Sequence, residues 1–255
     1  MPESLTPLLE RIDRVVVLTL PEAQQRQAMV KHLLAGVGLP FEFHFGRDCR
    51  QSNLNDLIEA GDYDPLARRR AGRPDLTPGE IGCALSHRAV QSTVQPGERV
   101  LILEDDIRII PGRLAGLARD IEMMPQQWDL AYFGHSLMNL STPLVTRIKL
   151  LSYYPIAYML GSAEKNPATI QRIYRRSLNE RWMYAGWFND AHAYAINSVA
   201  GDYLQSLQRS VWLEADVALN HLVRFSGLTA ITQRHILFEQ NRQLPSQIGA
   251  RPSWT

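Results

Sequence analysis

The order of hydrophobic periodicities between residues 15 and 45 leaves few folds open to this chain. Val15 to Leu20 (VVVLTL) is a short apolar run rich in β-branched residues, the composition of a strand buried on both faces. Pro21 then opens a helical stretch in which Met29, Leu33 and Leu34 recur at helical spacing before Gly36 and Gly38 stop it. Phe41 to Phe45 (FEFHF) follows as an alternating strand. Two strands joined by a crossover helix make a β-α-β unit, which pairs its strands in parallel through a right-handed connection. An α/β fold around a mostly parallel central sheet is therefore expected.

The strand signature returns at Val100-Leu101-Ile102-Leu103, fenced by Pro96-Gly97 and Pro111-Gly112. This run ends in Glu104, Asp105 and Asp106, where folding alone asks for no acid. Doubly wound sheets bind their ligands in the crevice beyond the carboxyl ends of the strands. Strand alternation sends Glu104 and Asp106 to one side and Asp105 to the other. Two converging carboxylates raise each other's pKa unless a cation neutralises them, so a hard divalent metal is the economical explanation. The competing reading is a solvated acidic turn.

Downstream, Leu66 to Gly79, rich in Arg, Gly and Pro, reads as a loop in which Arg68, Arg69, Arg70 and Arg73 form a solvated charge cluster or neutralise phosphate. Thr77-Pro78-Gly79-Glu80 is a capping box with Pro at the first helical position, so a helix runs from there to about Val94 and puts Glu80, Ala84 and His87 on one face. A helix from Arg113 to Glu122 and a strand at Trp128 to Gly134 come next. Between Ser136 and Asn189, Tyr153, Tyr154, Tyr158, Tyr174, Trp182, Tyr184 and Trp187 mix with Arg172, Arg175, Arg176 and Arg181, as on a sugar-stacking surface. Ile170, Ile173, Tyr174 and Leu178 also share one helical face, which favours a core role. His192 to Ile196 is a strand, Ser198 caps a helix through Leu207, and DVALNHLVRF begins another near Asp216.

At 255 residues and 45% hydrophobic, the chain can bury one large core, so residues 1–255 are expected to form a single domain. With 27 basic and 26 acidic residues there is no global field for nucleic acid, and none is expected as a partner. The opening MPESLTPLLERIDR has no apolar signal-peptide core and no apolar run can span a bilayer, so a cytoplasmic protein without a transmembrane segment is expected. Cys49 and Cys83 support neither a disulfide framework nor a zinc site; both read as free, and Cys83 as core. GxxxxGK[ST], a GxGxxG after the first strand, GxSxG and HExxH are all absent. What remains is a nucleotide-type sheet with carboxylates in place of a glycine cradle, suited to holding a nucleotide diphosphate through a metal. A metal-dependent phosphohydrolase would use the same carboxylates, but neither its nucleophile nor a second metal site is evident.

In order, "VVVLTLPEAQQRQAM", "LTPGEIGCALSHRAV", "VLILEDDIRI", "WDLAYFG", "AHAYAINSVAGDYL" and "FEQNRQLPSQIG" resemble glycosyltransferase family 25, which comprises bacterial lipooligosaccharide galactosyltransferases and collagen galactosyltransferases. The resemblance runs from about Ile12 to Gly249. It implies a GT-A fold, with a donor-binding half at about 12–134 and an acceptor-side half at about 135–250. It further implies transfer of a sugar, most often galactose from UDP-galactose, to a glycan or glycosylated-protein acceptor with inversion at the anomeric carbon. The setting would be lipopolysaccharide or other glycan biosynthesis, with peripheral contact at the inner membrane compatible with a cytoplasmic enzyme.

Glu-Asp-Asp then stands where such enzymes keep Asp-x-Asp. Asp106 is the first-choice ligand for Mn²⁺ (or Mg²⁺) on the diphosphate, assisted by Glu104 or Asp105 through ribose, water or metal, with His192 able to complete the metal shell. Inversion needs one general base, for which Asp216, Glu214 and Asp190 are the candidates; Asp216 alternatively just caps its helix. Glu80 and His87 are implied at the donor site, and Arg26 at the nucleotide. His44-Phe45-Gly46-Arg47-Asp48 stands where relatives carry Asp-Gly, so Asp48 is the candidate to take over that contact. Gly186-Trp187-Phe188-Asn189-Asp190 is bulkier than the small-residue run of relatives. A degenerate, non-catalytic transferase that binds carbohydrate or a partner is the alternative function.

Overall fold

The computed structural model describes residues 4–137, 169, 171–244 and 248, except for the side chains of residues 137 and 191. Tyr153, Tyr154, Tyr158 and Ile170 therefore lie outside the described residues. An eight-stranded sheet has the order β2-β1-β3-β8-β5-β9-β7-β6. Strands β1 (Arg14–Thr19), β2 (Glu42–Phe45) and β3 (Arg99–Glu104) are parallel, with Val16 opposite both Glu42 and Ile102. Strand β8 (Phe188–Asn197) is antiparallel to β3 and to β5 (Leu130–Leu137), and β9 (Ala230–Gln233) is again parallel to β5. Strands β7 (Trp182–Tyr184) and β6 (Arg176–Ser177) close the edge in antiparallel pairs, so all strands but β8 and β7 share one direction. This is the mostly parallel α/β arrangement expected of a GT-A-like chain.

Alternation divides each central strand between two apolar cores. Val15, Val17, Leu101, Leu103, Ala193 and Ala195 enter one, while Val16, Leu18, Val100, Ile102, Tyr194 and Ile196 enter the other. Helix α1 (Gln24–Gly36) covers the first with Val30 and Leu34, and its buried row also contains Arg26. Met29, expected on this face, is 41% exposed. The period-four row 26/30/34 faces the sheet, and the polar member of that row hid it from hydrophobic spacing.

Helix α2 (Leu54–Glu59) is followed by α3 (Pro65–Arg70), where the sequence suggested only loop. Asp64 caps α3 by accepting from the Ala67 amide, and Pro65 occupies its first turn, a start signal that the arginines obscured. Helix α4 (Pro78–Gln91) has the expected capping box. Its glycines are contact points for backbone. A Cβ on Gly82 would stand 2.7 Å from the Arg47 carbonyl oxygen and 3.0 Å from the Cys49 nitrogen, and one on Gly79 would run into the Ile248 carbonyl. Gly82→Ala is thus expected to cost roughly 1–3 kcal/mol of stability through overpacking, read as a lowered melting temperature, against the gain of about 1 kcal/mol that Ala brings to an open helix site.

Beyond β3, β4 (Ile107–Ile109) pairs antiparallel with β10 (Phe238–Gln240) as a two-stranded ribbon. The helix expected from Arg113 starts as a 3-10 turn at Leu114–Gly116 and becomes α5 at Leu117–Glu122. The helical face proposed through Ile173, Tyr174 and Leu178 does not form: residues 172–174 turn and β6 follows, because the Leu178 and Asn179 amides bond the Trp182 carbonyl in a hairpin. Helix α6 (Ser198–Leu207) is capped by Asn197, one residue before Ser198, and α7 (Ala215–Phe225) completes the second layer. Among the described residues no helix is long and apolar enough to cross a membrane.

Candidate active site

The cleft opens where β1 and β3 end. Strand alternation holds only as far as Glu104, because the chain turns at Asp105 and leads back through β4; Glu104, Asp105 and Asp106 consequently all line one cleft. Asp105 does not point away. Its Oδ1 accepts from Arg26 Nη1 at 2.8 Å and its Oδ2 from Thr19 Oγ1 at 2.6 Å. Asp106 Oδ2 lies 3.3 Å from the same Arg26 nitrogen and accepts from Gln240 Nε2 at 3.1 Å, while its Oδ1 is buried without a hydrogen-bond partner. Glu104 Oε1 lies 3.3 Å from His87 Nε2.

These surroundings separate the acids. Burial, then the neighbouring Glu104 charge, pushes the Asp106 carboxyl up to about 7. Burial acts upward on Glu104 too, but the His87 hydrogen bond and nearby positive charge outweigh it and hold the group below its ordinary value. A buried carboxylate oxygen without a partner, beside a second carboxylate, is a site that a cation would relieve. The donor set is hard oxygen, which fits Mn²⁺ or Mg²⁺. Among the described residues no group of three or more His, Cys, Asp or Glu side chains is arranged to hold an ion, so a bound ligand would supply much of the coordination.

The cleft occupies about 670 Å³ including its open mouth, and a second hollow of about 530 Å³ adjoins it. They share Cys83, His87, Glu104, Gln240 and Ile248. Arg26, Asp48 and the three strand-end acids belong to the first; Glu80, Asp190, Glu214 and Asp216 belong to the second. Sequence-distant candidates thus meet along one continuous groove.

Within the second hollow the three base candidates have different surroundings. Asp216 is not the cap of α7: Glu214 holds that position, without a side-chain cap bond. Asp216 Oδ1 accepts from the Val217 amide at 2.8 Å and Oδ2 from the Asp190 amide at 3.3 Å. Burial, then the charge of Glu214, raises its pKa. Asp190 is the only non-glycine among the described residues with positive φ (51°), a strained conformation that aims its amide at Asp216. Glu214 accepts from Arg68 at 2.8 Å through each oxygen and from Arg73 at 3.2 Å. Although burial acts upward on Glu214, the arginine bonds hold its pKa below the ordinary value. A carboxylate so paired is a poor proton acceptor, which counts against Glu214 as the base. Arg68, 3% exposed, is a buried anchor, unlike the solvated cluster expected of its loop.

Other candidates fall as follows. Glu80 accepts from the Thr77 amide as the reciprocal half of its capping box, at the rim of the second hollow. Asp48 lines the first hollow with its carboxylate engaged by Arg50, whose guanidinium holds it well below the usual range. His192 is 1% exposed, bonds the Phe238 carbonyl through Nε2 at 3.3 Å and lines neither hollow. It sits where the β5/β8 register shifts, in space that Gly134 leaves free: a Cβ there would lie 2.7 Å from His192 Nε2. Cys83, expected in the core, lines both hollows. Sequence reasoning passed over Thr19 and Gln240, which hold Asp105 and Asp106. Thr19 ends β1 and Gln240 ends β10, and neither strand carries a local pattern that marks its last polar residue without the fold.

Residues 12–219 match the family described as glycosyltransferase family 25 (LPS biosynthesis protein). A procollagen galactosyltransferase 1-B of Xenopus laevis is 33% identical over 169 residues, 58% of this chain and 26% of that protein. A human protein named inactive glycosyltransferase 25 family member 3 is 33% identical over 137 residues, 49% of this chain and 22% of its own length. The chain spans about a quarter of the length of these curated relatives. Among solved structures, an inositol-1-phosphate CTP transferase from T. maritima aligns with a TM-score of 0.43 at 11% identity, covering 90% of this chain and 89% of that one. The strand-end acids and the α4 string fall within the matched residues, and the chain belongs to glycosyltransferase family 25.

Proposed function

We propose that this chain is an inverting glycosyltransferase domain that moves a sugar, galactose in the first instance, from a UDP-sugar to a hydroxyl of a glycan or glycosylated-protein acceptor. The observation that carries this reading is the buried, unpartnered oxygen of Asp106 at the end of β3, beside Glu104 and the Arg26 guanidinium. In this reading the first hollow takes the nucleotide diphosphate and the second takes the acceptor. Asp106 and Glu104 would hold Mn²⁺ or Mg²⁺, which supplies Lewis-acid neutralisation of the charge on departing UDP. Arg26, clamped by Asp105, adds a fixed positive charge at the same place.

Asp216 is proposed as the base that takes the acceptor hydroxyl proton, because its raised pKa leaves it a better acceptor than an ordinary carboxylate and Glu214 is occupied by arginines. Asp190 would position Asp216 through its strained backbone. Asp216→Asn is expected to lower transfer by about 10²–10⁴-fold while UDP with Mn²⁺ still raises the melting temperature. Equal loss of UDP binding would remove Asp216 from the base role.

The reading as a whole is tested by UDP release from a panel of UDP-sugars, with Mn²⁺ and with chelator. Metal-dependent release from one sugar is expected. No release from any donor, together with no stabilisation by UDP and Mn²⁺, would overturn it. Stabilisation without transfer to any acceptor would favour the binding-only alternative, which the altered His44 to Asp48 stretch and the relatives named inactive support.

A further inference from the structure

Tyr194, at the centre of β8, has no exposed surface, and its hydroxyl meets two side chains: Gln91 Nε2 at 3.0 Å and His87 Nδ1 at 2.8 Å. The Gln91 amide donates to the hydroxyl, whose single proton is then left for His87 Nδ1. A neutral imidazole that accepts at Nδ1 carries its proton on Nε2, the atom that faces Glu104 at 3.3 Å. The donors therefore run in one direction, Gln91 to Tyr194 to His87 to Glu104. His87 and Gln91 are 2% and 5% exposed, so water is no ready substitute along the chain. The imidazole also stacks on the Tyr194 ring, with centroids 5.8 Å apart. His87 and Gln91 lie one turn apart on α4, and both reach Tyr194 across the helix–sheet contact.

We propose that Gln91 and Tyr194 are positioning residues that lock His87 as the Nε2–H tautomer, so that Glu104 is held through one oxygen and turns the other toward the donor. This rests on the nucleotide-sugar reading of the cleft for its function, although not for the lock itself. A hydrogen-bonded partner that fixes the tautomer of a histidine commonly sets the geometry of the group beyond it. Rotating the Gln91 amide by half a turn would reverse the chain, placing the proton on Nδ1 and leaving Glu104 without a donor. The tautomer is thus the observable.

Two-bond ¹H–¹⁵N correlation spectra of the metal-free protein, with His87 assigned by its loss in His87→Gln, read it directly. The wild type is expected to show Nε2–H. Tyr194→Phe keeps the ring and its stack and removes only the hydroxyl; it should abolish the single Nε2–H pattern and weaken Mn²⁺-dependent UDP binding by about tenfold with a native-like melt. Gln91→Met, which leaves the hydroxyl without its donor, should change both readouts the same way and serves if Tyr194→Phe does not fold. An Nδ1–H pattern in the wild type, or unchanged spectra in both variants, would overturn the lock. Failure of the wild type to bind UDP with Mn²⁺ at all would overturn the donor-site reading and leave the tautomer result standing.

Discussion

Asp106→Asn is expected to abolish metal-dependent turnover and, at the same time, to stabilise the metal-free protein at neutral pH. The first effect follows from removing a hard ligand from the charge that develops on the leaving diphosphate, an interaction of several kcal/mol and so more than about a hundredfold in rate. The second follows from linkage. The Asp106 carboxyl titrates at about 7 in the folded protein against 3.8 for an ordinary aspartate, so between those values the folded state binds the proton more tightly than the unfolded chain does. Its contribution to stability is full below about pH 4 and is lost as pH rises through 7, up to about 4 kcal/mol at 1.36 kcal/mol per pH unit.

Asparagine keeps the shape and discards the charge. Melting curves of the metal-free wild type and variant should nearly coincide near pH 4 and separate by pH 8, with the variant higher. Mn²⁺ should raise the melting temperature of the wild type alone, increasingly as pH rises through 7. A variant less stable than wild type at pH 8, or one that keeps its rate, would contradict the assignment.

The same acids mark how far the sequence was informative. VVVLTL and VLIL announce strands buried on both faces, and both are, because alternation feeds their side chains into two cores. The capping box at Thr77 fixed the start of α4 to the residue, since its determinants are local and reciprocal. Glu104-Asp105-Asp106 was legible as a candidate site because acids at a strand end serve no core. Its geometry was not, because the turn at Asp105 is held by partners distant in sequence: Thr19 and Arg26 before it, Gln240 and Asn241 far after it. The Glu-Ile-Gly-Cys-Ala-Leu-Ser-His string was recognisable as a motif while its physics was hidden. Gly82 admits the Arg47 backbone, Ser86 Oγ accepts from the Arg47 amide at 2.9 Å, and His87 turns to Tyr194, so the string is where α4 receives both the loop after β2 and the sheet.

Arg68→Ala should be among the most destabilising single changes in the chain, with a loss of about 3–5 kcal/mol, or roughly 6–20 °C in melting temperature. Arg68 is 3% exposed, donates to the Pro74 and Trp212 carbonyls and forms a two-pronged pair with Glu214. Truncation strips donors from two carbonyls and leaves Glu214 to Arg73 alone. The pair also joins α3 to the start of α7, the turn that carries Asp216, so the loss reaches the second hollow through position, not through chemistry. Glu214→Gln distinguishes this latch from a catalytic base. A latch predicts a loss of about 1–3 kcal/mol of stability from a weakened charged hydrogen bond, read as a lowered melting temperature, with turnover per folded molecule largely retained and the pH profile unmoved. A base predicts the reverse, a stable protein with turnover lost by two orders of magnitude or more. Since two arginines already occupy its oxygens, retained turnover is the expected outcome, and it would leave Asp216 and Asp190 as the base candidates.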